Sequence, residues 1–185
     1  MEKSNIKMKV CLVGELGVGK TSLVKTFVEG YFHRYYCPTD GANVLNKRFE
    51  LYDQNNSLCE IDLDIWDISG QEKWSKMRSK YLKSAQGVFV VADLTRIETF
   101  EKIESQWYSD IKNYTENGTP IVLICNKVDL KQKVDEFYIE NFASRLKFNS
   151  VVKMSAKTNQ NVNYSFFLLI NRCLKLENSL VVKTG

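Results

Sequence analysis

Residues 14–21 read GELGVGKT, which fits the pattern G-x-x-x-x-G-K-[ST] and calls for a strand before it and a helix after it. The run from Met8 to Val13 is apolar and suits a buried strand, and the apolar side chains between Leu23 and Val28 recur at helical spacing. Glycines in such a loop let backbone amides converge on phosphate oxygens, and the helix N-terminus adds partial positive charge. The motif therefore predicts a phosphate-binding loop.

Two side chains of this loop carry specific chemistry. In a loop of this kind the lysine ammonium reaches the β- and γ-phosphates of a nucleotide, and the final hydroxyl is a ligand for Mg²⁺. Lys20 and Thr21 stand at those positions. The predicted nucleotide-binding residues of the loop and the first helical turn are Gly14, Glu15, Leu16, Gly17, Val18, Gly19, Lys20, Thr21 and Ser22. The loop indicates a nucleotide but does not select its base.

Length and composition favour one domain over residues 1–185. The net charge of +4 includes no block of like charges, so charge alone implies neither nucleic acid nor an anionic membrane as a partner. The five cysteines include no C-x-x-C pair, which favours a reducing compartment. The polar N-terminus predicts no signal peptide, and no stretch is long and apolar enough to span a bilayer. A cytoplasmic location is expected.

Two segments after the first helix show strand periodicity. That helix is expected to end at Gly30. Apolar residues share one parity within 45–51 and again within 59–65, and a short polar turn at 53–56 joins the two segments, so they form an antiparallel hairpin. Val44 and Trp66 fall on the opposite, polar face. They are a candidate partner-binding patch, although coverage of Trp66 by a following helix is an equal alternative.

The rest of the chain alternates continuous apolar runs with helical patterns. The runs cover 87–92, 121–125 and, more weakly, 151–154, and the helical patterns cover 97–114, 136–146 and 162–176. This alternation predicts an α/β sheet, mostly parallel, with helices on both faces. Ligands of such sheets lie at the carboxyl ends of the strands. The polar clusters that follow the runs, at 67–71, 126–129 and 155–157, should therefore meet the phosphate-binding loop at one edge.

With these clusters in place, the chain resembles the small GTPases of the Ras superfamily in motif order and spacing over residues 7–177. The resemblance implies the P-loop G-domain fold, a six-stranded, mostly parallel sheet with one antiparallel edge strand. It also implies a monomeric molecular switch that uses Mg²⁺ to hydrolyse GTP to GDP, in vesicle traffic or signalling. Effector proteins, an exchange factor and a GTPase-activating protein (GAP) are the implied partners, through the switches and a hairpin surface of Val44, Trp66 and Tyr81.

The base-binding clusters resemble the guanine-specific motifs of that family. Asn126-Lys127-Val128-Asp129 resembles N-K-x-D, in which the Asp129 carboxylate accepts both N1–H and the 2-amino group of guanine. Adenine would leave a buried acceptor unpaired there, at a cost of about 1 to 3 kcal/mol. Ser155-Ala156-Lys157 resembles S-A-K, whose central amide donates to guanine O6. Phe32 matches the aromatic residue that packs against guanine, and a loop aromatic tucked into the core is its alternative.

Two further clusters resemble the switch segments. Residues 67–72 read DISGQE and resemble D-x-x-G-Q-E, in which Asp67 holds Mg²⁺ through water, Gly70 binds the γ-phosphate by its amide and Gln71 orients the attacking water. Residues 36–41 read YCPTDG and resemble Y-x-P-T-x-G. Tyr36 and Thr39 are then nucleotide-binding, and Thr39 also ligates Mg²⁺. The resemblance thus implies a metal set of Thr21, Thr39 and Asp67, and a catalytic set of Gln71, Lys20 and Thr39.

Three residues depart from the family pattern. Leu16 stands where relatives carry glycine or another small residue, and its side chain is expected to crowd Gln71 and an incoming arginine, so that GAP-stimulated hydrolysis is impaired. Ser69 replaces the usual alanine, and Asp40 replaces an apolar residue, which should alter effector choice. No arginine occupies a position that would act in cis, so slow intrinsic hydrolysis is expected. The alternative function is a GTP-binding interaction module with impaired hydrolysis. A P-loop kinase or ATPase is disfavoured by Asp129.

Within the superfamily the resemblance is to the Rab and Ras branches. Residues 65–67 and 78–82 are Rab-like, whereas 40–44 depart from the Rab motif. The chain stops at Gly185 without the prenylated cysteines of those branches. Either it ends before a lipidated tail, or the protein works without its own lipid anchor; peripheral attachment to the cytosolic face of a membrane is expected only with such a tail.

Overall fold

A six-stranded sheet forms the centre of the protein. The computed structural model describes residues 4–35, 37–52 and 58–175. The strands are β1 (Ser4–Val13), β2 (Ala42–Tyr52), β3 (Leu58–Ile68), β4 (Gly87–Asp93), β5 (Ile121–Asn126) and β6 (Ser150–Lys153). Their order across the sheet is β2-β3-β1-β4-β5-β6, and every neighbouring pair is parallel except β2 with β3. The predicted α/β sheet with one antiparallel edge strand is confirmed.

Helices flank this sheet. They are α1 (Lys20–Glu29), α2 (Arg78–Leu82), α3 (Glu98–Lys102), α4 (Tyr108–Tyr114), α5 (Glu136–Arg145) and α6 (Val162–Cys173). A 3₁₀ helix (Glu72–Met77) leads into α2, and a π-helical turn (Ile103–Trp107) joins α3 to α4. Gly30 ends α1 as expected, with a φ of 86° and its N–H donated to the Thr26 carbonyl. Within the described residues, none of the helices combines the length and the apolar character needed to cross a bilayer.

Each face of the sheet carries its own hydrophobic cluster. Successive residues of β1 alternate between them, with Val10 and Leu12 in one cluster and Cys11 and Val13 in the other. The first cluster is shared with α1 and α6, where the rings of Phe27 and Phe166 stack at 3.7 Å. The second is shared with α2 to α5. Because strands between two helical layers have no polar face, all of β4 and β5 is buried.

The hairpin of β2 and β3 has the register that its side-chain parity predicts. Leu45 lies opposite Ile65, and Val44 lies opposite Trp66 on the other face. The predicted turn at 53–56 is outside the described residues. Val44 is 51% exposed, whereas Trp66 is half-buried beside the Tyr81 ring of α2, with 6.3 Å between ring centroids. Trp66 therefore lies on the outward face and is partly covered by α2, as in the alternative in which a following helix covers it.

The bounds of the helical segment 72–82 could not be predicted from the sequence, which offered a helix after β3 only as an alternative. Its first half is a 3₁₀ helix, whose period of about three residues hides the helical pattern. Arg78 begins α2, is 2% exposed, and donates to Asp110 (3.0 Å) and Glu72 (3.4 Å). Its guanidinium lies over the Trp107 ring, 3.9 Å from the centroid. This buried cation fastens α2 to the helix that carries the π-helical turn.

Candidate functional site

The loop between β1 and α1 can be built only with glycine at two of its positions. Gly14 has a φ of 141° and Gly19 a φ of 102°. A Cβ atom on Gly14 would lie 2.3 Å from the Val91 carbonyl oxygen, and one on Gly19 would lie 2.3 Å from Asn126 Nδ2. Residues that carry a side chain rarely adopt this backbone conformation, and neither position leaves space for a Cβ atom. The two glycines therefore let the loop pack closely against β4 and β5.

Lys20 lies inside the loop. Its Nζ atom donates to the carbonyl oxygens of Gly14 (2.7 Å) and Glu15 (3.0 Å), and the residue is 6% exposed. Burial lowers the pKa of the ammonium from 10.5 to about 8, although Asp67 and Glu15 partly oppose the shift. A cation held in this way is short of negative partners, so an anion bound at the loop would interact with it strongly.

The three predicted metal ligands come together from separate segments. Thr21 Oγ1 donates to Asp67 Oδ2 (2.5 Å), and Thr39 Oγ1 lies 2.9 Å from Thr21 Oγ1 and 3.2 Å from Asp67 Oδ2. Asp67 is fully buried, and burial raises its pKa. Its Oδ1 atom has no hydrogen-bond partner among the described residues. Hydroxyl and carboxylate oxygens are the ligands that Mg²⁺ prefers, so this set fits that ion.

The candidate metal site is not a cluster of His, Cys, Asp or Glu side chains. Within residues 4–35, 37–52 and 58–175, no group of three or more His, Cys, Asp or Glu side chains could hold a metal. A site with a single carboxylate and two hydroxyls is of a different kind, because nucleotide phosphates complete the coordination of Mg²⁺ in such proteins.

The second switch packs on the phosphate-binding loop and on the first switch. Gly70 lies so close to the loop that a Cβ atom there would be 2.6 Å from the Leu16 backbone nitrogen. Gln71 Nε2 donates to the Thr39 carbonyl oxygen (3.0 Å). Leu16 is 43% exposed and lines one groove together with Gly70 and Gln71. Ser22 lines the pocket around Lys20 and Thr39.

The predicted base-binding clusters meet at the carboxyl ends of β5 and β6. The Ala156 amide donates to Asn126 Oδ1 (3.2 Å), and Asn126 Nδ2 donates to the Val18 carbonyl oxygen (2.8 Å). Asp129 Oδ1 accepts from Ser155 Oγ (2.6 Å). A carboxylate has about four acceptor positions, so Asp129 retains capacity for further donors. Lys157 Nζ is 3.9 Å from Asp129 Oδ2.

Lys127 connects this edge to the phosphate-binding loop. It has a positive φ of 72°, and its Nζ atom donates to the Gly17 carbonyl oxygen (2.9 Å) and to Asp93 Oδ2 (2.6 Å). Arg96 Nε donates to the same carboxylate oxygen (3.0 Å), and Arg96 Nη2 donates to the Leu16 carbonyl oxygen (2.9 Å). Asp93 and Arg96 were not predicted as site residues. Asp93 ends β4, so its place at the carboxyl end of a buried strand could have indicated it.

Two further predicted nucleotide contacts belong to the segment of the chain between α1 and β2. Phe32 is half-buried in the loop after α1. Tyr36 lies outside the described residues.

The glycine-rich loop between β1 and α1, at the edge of a mostly parallel sheet, defines a P-loop nucleotide-binding protein. Comparison with known families makes this class more specific. Residues 9–175 match the model of the Ras family, and the chain belongs to that family.

Curated relatives agree with this assignment. The chain is similar to the Ras-related protein Rab-32 of Homo sapiens, with 36% identity over 172 residues, which is 90% of this chain and 74% of that protein. It is 32% identical over 170 residues to the Ras-related protein RabC of Dictyostelium discoideum, covering 91% of this chain and 84% of that protein. Ras-related protein Rab-7b of Bos taurus is 32% identical over 182 residues, covering 97% and 88%. The predicted Rab-like membership is confirmed, and it supports a small-GTPase switch in vesicle traffic.

Proposed function

We propose that residues 1–185 form one G domain that binds GTP and GDP with Mg²⁺, hydrolyses GTP slowly, and binds effector proteins when GTP orders both switches. The convergence of Thr21, Thr39 and Asp67 within 2.5 to 3.2 Å is the observation that carries this proposal. These residues come from the phosphate-binding loop, the first switch and β3, which are brought together only by the folded chain. Such a set suits a ligand that bridges the two switches.

The proposed reaction is in-line attack of water on the γ-phosphoryl group. Mg²⁺, when bound, would neutralise charge on the phosphate oxygens. Thr21 and Thr39 would hold that ion directly, and Asp67 would hold it through water. Lys20 would bind the β- and γ-phosphates, and the Gly70 amide would bind the γ-phosphate. Gln71 would orient the attacking water, which its place 3.0 Å from the Thr39 carbonyl oxygen supports.

Guanine is the proposed base. Asp129 would accept from N1–H and the 2-amino group, and the Ala156 amide would donate to O6. Asn126 and Lys127 would brace this edge against the phosphate-binding loop, because their side chains bond the carbonyls of Val18 and Gly17. Phe32 would pack against guanine, and Tyr36 would bind the nucleotide.

The proposed partner surface is the outward side of the hairpin and α2. Val44 is exposed, and Trp66 and Tyr81 are half-buried next to each other. Effectors, an exchange factor and a GAP would bind here and at the switches, in vesicle traffic or signalling. The protein would act as a cytosolic monomer and would reach a membrane surface only through a lipidated tail.

The alternative function is a GTP-binding interaction module with impaired hydrolysis. Leu16 favours it, because its side chain shares a groove with Gln71. Leu16→Ser and Leu16→Gly should raise the single-turnover rate of GTP hydrolysis about tenfold, since a misplacement of about 1 Å at a reacting group costs up to about a hundredfold. The measurement is phosphate release from the purified chain preloaded with GTP and Mg²⁺.

A matched control for this experiment is Val151→Ser, which shortens a similarly exposed apolar side chain on β6, away from the switches. Its rate should equal that of the wild type. Equal rates in the wild type and in both Leu16 variants would show that Leu16 does not impede Gln71. A measurable wild-type rate supports the switch, whereas a silent wild type that binds GTP tightly supports the interaction module.

The lowered pKa of Lys20 predicts that nucleotide binding depends on pH. Without nucleotide the ammonium loses its proton at about pH 8, and bound phosphates favour the charged form and raise that pKa. Binding above this pH must therefore take up a proton, so the Kd for GDP should rise toward tenfold per pH unit as the pH increases from about 8 to 9. Titration calorimetry in buffers of different ionisation enthalpy measures both the Kd and the proton uptake.

Lys20→Gln is the control for this pH dependence. It should bind GDP more weakly at every pH, and it should lose the proton uptake that Lys20 supplies. If the wild type and Lys20→Gln show the same pH dependence, the proton does not go to Lys20.

A further inference from the structure

The carbonyl oxygen of Thr39 is held by the second switch. Ser69 Oγ donates to it at 2.8 Å, and Gln71 Nε2 donates to it at 3.0 Å. Ser69 is 1% exposed, and its hydroxyl oxygen also accepts from the Gln71 backbone amide (3.3 Å). A carbonyl oxygen has two lone pairs, so both acceptor positions of Thr39 are in use.

The next residue of the first switch is held as well. Asp40 Oδ1 accepts from the indole nitrogen of Trp74 (3.1 Å) and lies 2.8 Å from Lys73 Nζ. These two donors, Lys73 first, lower the pKa of the Asp40 carboxyl, so it is ionised at neutral pH. The ion pair is exposed and contributes little by itself. The Trp74 indole adds a directed hydrogen bond, because an indole ring donates one hydrogen bond through its N–H and accepts none.

Gly41, the third consecutive residue, is also hydrogen-bonded to the second switch. The Gly41 carbonyl oxygen accepts from the Ser69 amide (2.9 Å). We call these contacts of residues 39–41 with Ser69, Gln71, Lys73 and Trp74 the inter-switch junction. These contacts lie between protein atoms, so they would add to whatever the γ-phosphate contributes to holding the first switch closed.

We propose that Ser69 and Asp40 are positioning residues that hold Thr39 at the metal site through the inter-switch junction, so that the first switch stays closed to a large extent with GDP as well as with GTP. This inference rests on the proposed function and modifies one part of it, because GTP would then add to the order of the first switch and would not create it. Asp40 and Ser69 are also two of the positions at which the chain departs from the family pattern. Asp40 and Ser69 supply a carboxylate and a hydroxyl that an apolar residue and an alanine could not, and both form bonds between the switches.

Such a junction would narrow the difference between the two nucleotide states. A ligand shifts a conformational equilibrium only by its differential affinity for the two conformations. If protein contacts already favour the closed first switch, the γ-phosphate increases the population of that closed conformation by less. Partners that read the first switch would then distinguish GTP from GDP less sharply than partners that contact the γ-phosphate region itself.

Fluorine NMR of 5-fluorotryptophan protein tests the proposal, because Trp74 lies in the junction. The full chain has three tryptophans, and Trp74→Phe assigns the Trp74 resonance. Asp40→Ala gives the resonance position of an indole without its carboxylate partner. Spectra are recorded for each protein loaded with GDP and with a non-hydrolysable GTP analogue. The wild-type resonance with the GTP analogue gives the position of the closed junction. With GDP, the wild-type resonance should lie nearer to that position than to the position of Asp40→Ala.

Ser69→Ala tests whether the two halves of the junction act together. It leaves Trp74 and Asp40 unchanged and removes the two hydrogen bonds of the Ser69 hydroxyl, the one donated to the Thr39 carbonyl and the longer one accepted from the Gln71 amide. With GDP the Trp74 resonance should move at least halfway to the Asp40→Ala position, and with the GTP analogue it should stay in place. Ser165→Ala is the matched control, because it removes another buried hydroxyl that donates to a backbone carbonyl, that of Val162 in α6. Its Trp74 spectrum should match the wild type.

Two results would overturn the proposal. In the first, wild-type Trp74 with GDP already lies at the Asp40→Ala position, a comparison that needs no Ser69 variant. In the second, Ser69→Ala leaves Trp74 unmoved with GDP. The resonance of Trp107, which is fully buried in the core, reports that each variant is folded. The nucleotide content of the same samples separates failure of this inference from failure of the proposed function. Retained GDP with an open junction rejects this inference alone, whereas failure to retain guanine nucleotide rejects the proposed function.

Discussion

Asp129→Asn should weaken GDP binding by about a hundredfold or more. The Asp129 carboxylate would accept two hydrogen bonds from guanine, and bonds to a charged group contribute about 1.5 to 3 kcal/mol each, where 1.4 kcal/mol is tenfold in Kd. Asparagine has only one acceptor oxygen, and its NH₂ group would face the guanine donors. The Kd for GDP, measured by competition against a fluorescent guanine nucleotide, gives the effect directly.

The same variant has a chemical rescue. Xanthine carries a carbonyl at C2 in place of the amino group of guanine, so the asparagine NH₂ finds an acceptor there. Asp129→Asn should therefore bind xanthosine diphosphate more tightly than the wild type does, which also shows that the variant is folded. Asp62→Asn is the matched control, since it makes the same chemical change on β3, away from the base-binding clusters, and should leave the Kd for GDP at the wild-type value. An unchanged Kd for GDP in Asp129→Asn would place the base elsewhere.

Gln71→Leu should lower the single-turnover rate of GTP hydrolysis about a hundredfold, which is a typical effect for losing a group that orients a reactant. Leucine matches glutamine in size but cannot hydrogen-bond to water or to the Thr39 carbonyl. The Kd for GDP should stay at the wild-type value, because Gln71 lies at the switch edge and away from Asn126 and Asp129. Phosphate release from GTP-loaded protein with Mg²⁺ measures the rate.

A second glutamine in the same groove gives the control for Gln71. Gln106→Leu makes the same chemical change in the π-helical turn, where Gln106 donates to Glu72 (2.9 Å). It should hydrolyse GTP at close to the wild-type rate. Undetectable hydrolysis in both Gln71→Leu and the wild type, with tight binding of both nucleotides, would favour the interaction module, in which Leu16 is the proposed cause of the lost chemistry.

Much of the fold could be predicted because its signals are local. The runs that became β4 and β5 are apolar throughout because both faces of these strands are covered. The alternation in β2 and β3 follows from one covered face, and the glycines at 14 and 19 mark positions where a side chain has no room. The candidate site residues could be proposed for a related reason. Strand ends place short motifs at one edge, so Asn126 and Ala156 could be expected near each other.

The remaining features depend on contacts between distant segments. Asp40 bonds to Trp74 across 34 residues, and Ser69 bonds to Thr39 across 30, and no local pattern encodes such a pairing. Arg96 could not be predicted as a site residue for the same reason, since its contact with Leu16 spans 80 residues. Parity placed Trp66 on the outward face but could not say how far Tyr81 would cover it, because the 3₁₀ helix and short α2 that carry Tyr81 have little periodicity.

The buried guanidinium of Arg78 sets a limit on how the second switch can move. Separating it from Asp110 and from the Trp107 ring would leave an uncompensated charge in the core, which costs several kcal/mol, about 3 to 5 in comparable cases. Arg78 therefore anchors the C-terminal end of the second switch to the core. A partner seated on α2 beyond Arg78 should meet the same surface in both nucleotide states.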